Sequence, residues 1–315
     1  MATTMQDAPL RNDLADGPEG GSAHWLTARD GVRLRIAWWP KDDARGTVLI
    51  FPGRTEYAEK YGRTARDMAA HGYAAVSVDW RGQGQADRAL TDRLTGHVVD
   101  FDEYQTDIAA VLEALEDLGA PKPYYLIAHS MGGCIGLRAV MDGLPVAACA
   151  FTGPMWGIRI SAALRPMAWT LGLTSGFIGQ GHRYAPGTKP DPLVLAEPFE
   201  TNQLTGDRAS YEWMQSHLEA MPDWGLGGPS LRWLGAALLE CRRLAKRPSP
   251  DVPCLTFLGT DEQIVDTQRI HDRMKRWPRG ELRMIEGGRH EVLMETPAVR
   301  ARVAQELADF FAATR

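Results

Sequence analysis

A serine between a short apolar segment and a helix-forming segment is the feature that most constrains this chain. Residues 124–128 form an apolar run that is too short for a helix, and apolar side chains within residues 135–141 recur at the spacing of one helix face. Between them, Ser130 has small residues two positions before and after it, Ala128 and Gly132. This pattern predicts a strand, a sharp turn and a helix, which together lift the serine hydroxyl above the edge of a sheet.

Two interpretations of Ser130 are open at this point. Backbone N–H groups and the helix dipole favour negative charge at a helix N-terminus, which suits a nucleophile. Serine is also a common N-cap residue, so Ser130 could simply cap a buried helix. Because Ala128 replaces the first glycine of the usual G-x-S-x-G pattern, the decision depends on whether a base, an acid and an oxyanion hole occur elsewhere in the chain.

Composition excludes several classes of protein. The chain has 315 residues, of which 44% are hydrophobic, and this is enough for a large buried core. The formal net charge is -5 and there is no basic block, so nucleic acid is not an expected partner. No apolar run is long enough for a membrane span.

The N-terminus and the cysteines indicate a cellular compartment. Residues 1–22 are polar and acidic and lack the apolar core of a secretory signal, so we expect a flexible N-terminal tail. The four cysteines show no paired spacing, which favours reduced, buried thiols over disulfides or a metal site. These observations favour a cytoplasmic protein, and we expect neither a metal nor an organic cofactor.

Strand and helix patterns alternate along most of the chain. A hairpin pattern at residues 24–39 precedes apolar runs that predict buried strands at 47–51, 73–78, 124–128, 146–151, 254–259 and 282–285. Helical spacing of apolar residues occurs at 60–71, 108–118, 135–141, 270–274 and 299–311. The alternation predicts an α/β fold with a mostly parallel central sheet flanked by helices, and the hairpin adds antiparallel strands at one edge.

The alternation is interrupted at residues 153–248. This stretch is rich in Gly, Pro, Trp and Met, contains no buried-strand run, and has helical patterns near 161–172, 207–220 and 230–245. We therefore predict a helical cap at residues 153–248, inserted before the strand at 254–259. The remaining core would consist of residues 23–152 and 249–315.

Five motifs carry a resemblance to a known family. They are Phe51-Pro52-Gly53-Arg54-Thr55-Glu56 with Lys60-Tyr61, Asp79-Trp80-Arg81-Gly82-Gln83-Gly84, Ala128-His129-Ser130-Met131-Gly132-Gly133, Gly259-Thr260-Asp261-Glu262-Gln263-Ile264-Val265-Asp266, and Gly287-Gly288-Arg289-His290. In this order, and with the insertion in this position, they resemble the α/β-hydrolase superfamily, within it the branch of bacterial lysophospholipases and monoacylglycerol lipases. The resemblance extends over about residues 24–312.

The resemblance implies a catalytic triad in the chain order nucleophile, acid, base. Ser130 would be the nucleophile, and His290, in a glycine-rich turn after a strand, would be the base. Three carboxylates after Gly259 compete for the third role, Asp261, Glu262 and Asp266, and the last is expected to cap the helix that follows. Register against the family favours Glu262, three residues after Gly259, whereas the commoner residue type in this role favours Asp261.

The resemblance also implies an oxyanion hole, formed by the backbone N–H groups of Arg54 and Met131. The family usually has His-Gly before the first donor, where this chain has Pro52-Gly53, so a side chain that normally braces the loop is missing. The Arg54 side chain would be either solvated or in contact with a substrate head group. We interpret His129 as structural and expect Asp266 to cap the following helix.

The implied activity is hydrolysis of carboxylic esters of monoacyl lipids through an acyl-enzyme intermediate. A serine peptidase, an acyltransferase and a non-catalytic binding protein on the same scaffold are the alternatives. The expected partners are a small lipid or ester substrate and, transiently, a membrane surface touched by the cap. Apolar cap residues would line an acyl-chain pocket or form the core of the cap itself; they are Trp156, Trp169, Trp213, Trp224, Trp233, Met155, Met167, Met214 and Met221.

Overall fold

The computed structural model describes residues 5–314, and within this range nine strands form a single sheet. The strands are β1 (Gln6–Ala8), β2 (Ser22–Thr27), β3 (Arg33–Trp39), β4 (Thr47–Phe51), β5 (Ala74–Asp79), β6 (Tyr124–His129), β7 (Val146–Thr152), β8 (Cys254–Gly259) and β9 (Gly280–Ile285). Their order is β1-β2-β3-β5-β4-β6-β7-β8-β9. Pairing is antiparallel from β1 through β3 to β5 and parallel from β5 to β9, which confirms the predicted fold class.

Helices connect the strands and form the segment between β7 and β8. They are α1 (Asn12–Ala15), α2 (Gly62–Ala70), α3 (Asp102–Asp117), α4 (Ser130–Met141), α5 (Arg165–Thr174), α6 (Leu193–Ala196), α7 (Arg208–Ala220), α8 (Leu231–Lys246), α9 (Thr267–Met274) and α10 (Pro297–Ala313). Short 3₁₀ turns occur at Ala58–Tyr61, Phe199–Thr201, Pro222–Trp224 and Val292–Met294. None of the described helices is both long enough and apolar enough to cross a membrane.

The core has two layers because the central strands are covered on both faces. Every residue of β4, β5, β6 and β8 is buried, as expected for parallel strands between helices. Helices α2 and α10 pack against one face, through residues such as Met68 and Leu307. Helices α3, α4 and α9 pack against the other face, through residues such as Val111, Ile135 and Ile270.

Helices α5 to α8 lie between β7 and β8, in the segment for which the sequence predicts a cap. Helices α5 and α8 pack against each other where Gly172 faces Gly235. A Cβ on either glycine would collide with the backbone of the other, so this close approach requires two residues without side chains. We refer to residues 153–248 below as the cap segment.

The flexible tail predicted for residues 1–22 is wrong for residues 5–22. Strand β1 pairs with β2, and α1 follows it. The buried Arg35 donates from Nη1 to the carbonyl oxygen of Pro9 at 2.8 Å, which ties this segment to the sheet. Because such partners lie far away in the chain, the polar local sequence gave no sign of them; residues 1–4 lie outside the described residues.

The sequence-predicted site residues follow the carboxyl ends of four parallel strands. Arg54 follows β4, Ser130 follows β6, Glu262 follows β8 and His290 follows β9. In open α/β sheets the carboxyl ends of the strands meet at one edge, and ligands bind there. The topology therefore gathers residues that lie far apart in the sequence.

Candidate active site

Ser130 occupies a tight, strained turn between β6 and α4. Its φ is +49°, in the left-handed region that residues with side chains rarely adopt. Gly132 has to lack a side chain because a Cβ there would collide with the carbonyl oxygen of Phe51. The methyl group of Ala128 is tolerated because it faces Gly136, which leaves room for it. The departure from the G-x-S-x-G pattern is thus accommodated without changing the turn.

Glu262 and His290 form a buried hydrogen-bonded pair. Nδ1 of His290 donates to Oε2 of Glu262 at 2.7 Å. The other carboxylate oxygen accepts from the N–H groups of Ile264 at 2.6 Å and Val265 at 3.1 Å. Burial raises the pKa of Glu262, but His290 and the two N–H groups lower it more, and the pKa lies below its ordinary value. The carboxylate therefore stays ionised and holds the imidazole with Nδ1 protonated.

The other two carboxylates near this strand have different positions. Asp261 is exposed, and its backbone N–H donates to the carbonyl oxygen of Gly288 at 2.9 Å. Asp266 precedes α9 at the N-cap position but makes no side-chain capping hydrogen bond. The prediction that Asp266 caps this helix is therefore wrong, although its place at the helix start is as expected.

Ser130 and His290 line the same cavity, which has a volume of about 520 Å³. This size is typical of small-molecule sites, and most of the lining side chains are apolar. The two residues share this wall without a hydrogen bond between them. Contacts of this kind often tighten only when the substrate binds.

Of the two expected oxyanion donors, Arg54 lines this cavity and Met131 directly follows Ser130, which also lines it. The N–H of Arg54 has no acceptor within residues 5–314. Met131 is the second residue of α4, where N–H groups lack intrahelical acceptors. Gly53, just before Arg54, donates its N–H to Glu56 and accepts from Nε2 of Gln83 at 2.7 Å. These two side chains brace the loop in place of the side chain that this chain lacks before Gly53.

A cluster of charged side chains is buried in the cavity wall. Nζ of Lys60 donates to Glu56 and to Glu291, each at 2.6 Å. Nε2 of His129 lies 3.4 Å from a carboxylate oxygen of Glu291 and 3.7 Å from one of Glu56. Burial lowers the pKa of His129, but the two carboxylates raise it more, so the pKa lies above its ordinary value. Lys60 thus pairs with both buried carboxylates, and these carboxylates favour the protonated form of His129.

This buried cluster joins the loops that carry the candidate site residues. Glu56 belongs to the loop after β4, His129 precedes Ser130, and Glu291 follows His290. The ring centroids of His129 and His290 are 4.7 Å apart. A structural role for His129 is predicted from the sequence, but its partners Glu56 and Glu291 are not. The four-residue spacing of Glu56 and Lys60 was a usable signal, whereas nothing local pointed to Glu291.

The same cluster contains a set of potential metal ligands. Ligand atoms of Glu56, His129 and Glu291 lie within 4.8 Å of one another. The ammonium group of Lys60 already lies between the two carboxylates. The donor set therefore suits a salt-bridge cluster with a resident cation better than a metal centre.

Only some of the predicted cap side chains reach the cavity. Trp233 lines it, and so do three methionines, Met155, Met167 and Met214. Trp156 instead packs against Phe151 and Trp277 in the core, with ring centroids 5.1 Å and 6.1 Å away. The side chain of Arg54 also lines the cavity and is half-buried, so it is not the solvated loop cation that was one expectation.

Comparisons with known proteins agree with this geometry. The family model of serine aminopeptidase S33 matches residues 42–297. The chain is 30% identical over 296 residues to lysophospholipase L2 of Escherichia coli strain K12, and the match covers 91% of this chain and 86% of the relative. It is 29% identical over 182 residues to a monoacylglycerol lipase of Mycolicibacterium smegmatis, with 56% of this chain and 62% of the relative covered.

A solved structure shows the same fold. The crystal structure of a soluble variant of monoglyceride lipase from Saccharomyces cerevisiae, in complex with a substrate analog, matches with a TM-score of 0.72 at 20% identity. The match covers 100% of this chain and 96% of that chain. The resemblance predicted from the five motifs is confirmed. Since the family model matches most of the length of this chain, the chain belongs to the serine aminopeptidase S33 family of α/β hydrolases. It is a carboxylester hydrolase.

Proposed function

We propose that this carboxylester hydrolase cleaves monoacyl lipids, with Ser130 as nucleophile, His290 as base and Glu262 as acid. The contact that supports this most directly is the 2.7 Å hydrogen bond between Glu262 and Nδ1 of His290. It leaves Nε2 of His290 as the ring nitrogen that exchanges protons, in the cavity that Ser130 also lines.

The reaction proceeds in two halves. Ser130 Oγ attacks the ester carbonyl carbon and gives its proton to His290, while the N–H groups of Arg54 and Met131 stabilise the oxyanion. The carbon–oxygen bond to the alcohol then breaks, and the alcohol leaves with the proton from His290. Water attacks the acyl-enzyme and gives a proton to His290. The intermediate collapses to a fatty acid, and the proton returns to Ser130.

The apolar side chains that line the cavity support an acyl chain as the ligand. They come from the cap segment and the neighbouring loops and include Ile158, Leu164, Met167, Leu171, Leu193, Val194, Leu218 and Ile264. A peptidase of this family is the second candidate, because the matching family model carries the name of an aminopeptidase. A polar dipeptide bound in the cavity would leave most of its apolar lining without apolar contacts. The lining therefore favours a lipid over a peptide as the substrate.

We also propose that the cap segment touches membranes transiently. Phe177 and Ile178, just after α5, are 90% and 68% exposed. Large exposed apolar side chains that are adjacent in the chain are typical of sites that contact proteins or membranes. A lipid substrate passes from a membrane into the cavity most directly if the cavity lies beside the membrane. The location we propose is the cytoplasm, where four unpaired, buried cysteines stay reduced.

Replacing Ser130 by Ala tests the nucleophile. A fluorophosphonate probe should label the wild-type protein at Ser130, and Ser130→Ala should abolish both labelling and ester hydrolysis, because the attacking oxygen is gone. Intact mass and peptide mapping report the site. Ser161→Ala is the matched control, because Ser161 lines the same cavity but its Oγ accepts a hydrogen bond from the backbone N–H of Leu164, and this variant should be labelled like the wild type. Labelling that survives in Ser130→Ala would refute the assignment.

Two carboxamide variants test the acid. Glu262→Gln should lower kcat by as much as ~10⁴-fold, because the imidazole loses the carboxylate that fixes its tautomer and stabilises its cation. Asp261→Asn should cost less than about tenfold, because Asp261 is exposed and does not contact His290. The measurement is kcat on one good ester, with thermal unfolding as the folding control. The opposite ranking in two folded variants would assign the role to Asp261.

Binding of an acyl chain in the cavity can be tested by varying the chain length of the substrate. We expect kcat/KM to rise with each methylene until the cavity is full, since burial of a methylene contributes about 0.8 kcal/mol. Ala168 lies on α5 and lines the cavity, so Ala168→Leu should reduce the cavity volume and shift the preferred substrate to shorter acyl chains. Ala163→Leu is the control, because Ala163 is exposed and does not line the cavity. A flat chain-length profile together with cleavage of aminoacyl amides would favour the peptidase.

Membrane contact can be separated from catalysis. Phe177→Asp with Ile178→Asp should weaken co-sedimentation with phosphatidylcholine vesicles several-fold and leave hydrolysis of a soluble short ester unchanged. Met284→Asp is the control, because Met284 is also exposed, at 40%, but lies on β9 outside the cap segment. Equal vesicle binding by wild type and the double variant would contradict contact through this surface.

A further inference from the structure

Arg54 is a half-buried cation without an anionic partner. Nη1 donates to the carbonyl oxygen of Gly227 at 2.8 Å, and this is the only hydrogen bond of its guanidinium to residues 5–314. No carboxylate of these residues lies within 4.0 Å of it. Its Cζ lies 5.6 Å from the ring centroid of Trp233, so the group is held between the loop after β4 and the cap segment.

Two fully internal arginines of this protein have several acceptors each. The buried Arg35 binds two carboxylates, those of Glu59 and Asp79. The buried Arg273 has no carboxylate but donates to three oxygens of residues 244–249. Arg54 has one neutral acceptor for its five donors, and it lines the cavity next to Ser130. Its unused donors are available to a ligand there.

The charges that line the cavity also favour an anion. They are three cations (Arg54, Lys60 and Arg159) and two anions (Glu56 and Glu291). Lys60 is bound between the two anions, and within residues 5–314 neither arginine forms an ion pair with a carboxylate, so positive charges outnumber negative ones in the lining. This excess of positive charge occurs in a chain whose net charge is -5. Burial lowers the pKa of Arg54 to about 10, so the group is still a cation at neutral pH.

The position of Arg54 suits one kind of anion. Its backbone N–H is the proposed oxyanion donor, so the ester carbon of the substrate lies beside it during the reaction. The number of covalent bonds from the backbone nitrogen of Arg54 to its Cζ equals the number from the ester carbon to the phosphorus of a 1-acyl lysophospholipid. A substrate that lies along the side chain therefore brings its phosphate to the guanidinium.

We propose that the Arg54 guanidinium binds the phosphate of a lysophospholipid and makes the enzyme prefer such substrates to uncharged monoacylglycerols. This inference rests on the proposed ester hydrolysis at Ser130. The planar guanidinium matches two phosphate oxygens with two parallel N–H donors, which an ammonium group cannot do. The desolvated site strengthens this contact, because a hydrogen bond to a charged group contributes more where water is excluded.

The experiment measures kcat/KM for a lysophosphatidylglycerol and a 1-monoacylglycerol with the same acyl chain, both below their critical micelle concentrations. For Arg54→Gln we expect the preference for the phosphate-bearing lipid to fall roughly ten- to hundredfold, mainly through KM. Arg54→Lys should recover part of the preference. Arg183→Gln, which removes an exposed cation of the cap segment outside this cavity, should keep the wild-type preference.

A competition assay covers the case in which Arg54→Gln does not fold. Glycerol 3-phosphate should inhibit hydrolysis of a short p-nitrophenyl ester by the wild-type enzyme, and glycerol at the same concentration should not. Inorganic phosphate as a third competitor separates binding of the bare anion from binding of the lipid backbone. Equal inhibition by glycerol and glycerol 3-phosphate would overturn the proposal.

The two possible failures are distinguishable. If a folded Arg54→Gln loses activity equally on both lipids, Arg54 acts through the loop backbone alone, and the phosphate site is wrong while ester hydrolysis stands. If the wild type cleaves short esters but neither lipid, the proposed lipid substrate is wrong, and the phosphate site is refuted with it.

Discussion

The buried ammonium group of Lys60 is the interaction on which the arrangement of the site depends. It binds Glu56 in the loop after β4 and Glu291 in the loop after β9, each at 2.6 Å. Removing one partner from a buried ion pair costs about 3–5 kcal/mol, because the remaining charge is left without compensation. The loops that carry the proposed oxyanion donor and the proposed base therefore cannot move independently of each other.

The proposed catalytic residues lie where the chain accepts backbone strain and buried charge. Ser130 adopts a positive φ, and Gly132 has no room for a side chain. The ionised Glu262 is kept in the interior by His290 and by two backbone N–H groups. Strained backbone and buried charges of this kind persist only where the surrounding structure holds them, and here the parallel sheet supplies that support.

Much of the fold could be predicted from the sequence, because buried parallel strands and amphipathic helices leave local patterns. The turn at Ser130 could also be predicted, since small residues at fixed positions reveal it. The pairing of Lys60 with Glu291, 231 positions away, left no local pattern. Strand β1 was missed because it is three polar or small residues long and forms only against β2. The catalytic roles of Ser130, Glu262 and His290 remain predictions.

The most direct measurement is a crystal structure of the enzyme after reaction with a phosphonate analogue of a lysophospholipid. The account predicts a covalent bond from Ser130 Oγ to phosphorus, with the phosphonyl oxygen accepting hydrogen bonds from the N–H groups of Arg54 and Met131. Nε2 of His290 should lie within hydrogen-bond distance of Ser130 Oγ, and the acyl chain should lie against the cap segment. An adduct on another residue, or a phosphonyl oxygen that contacts neither N–H group, would contradict it.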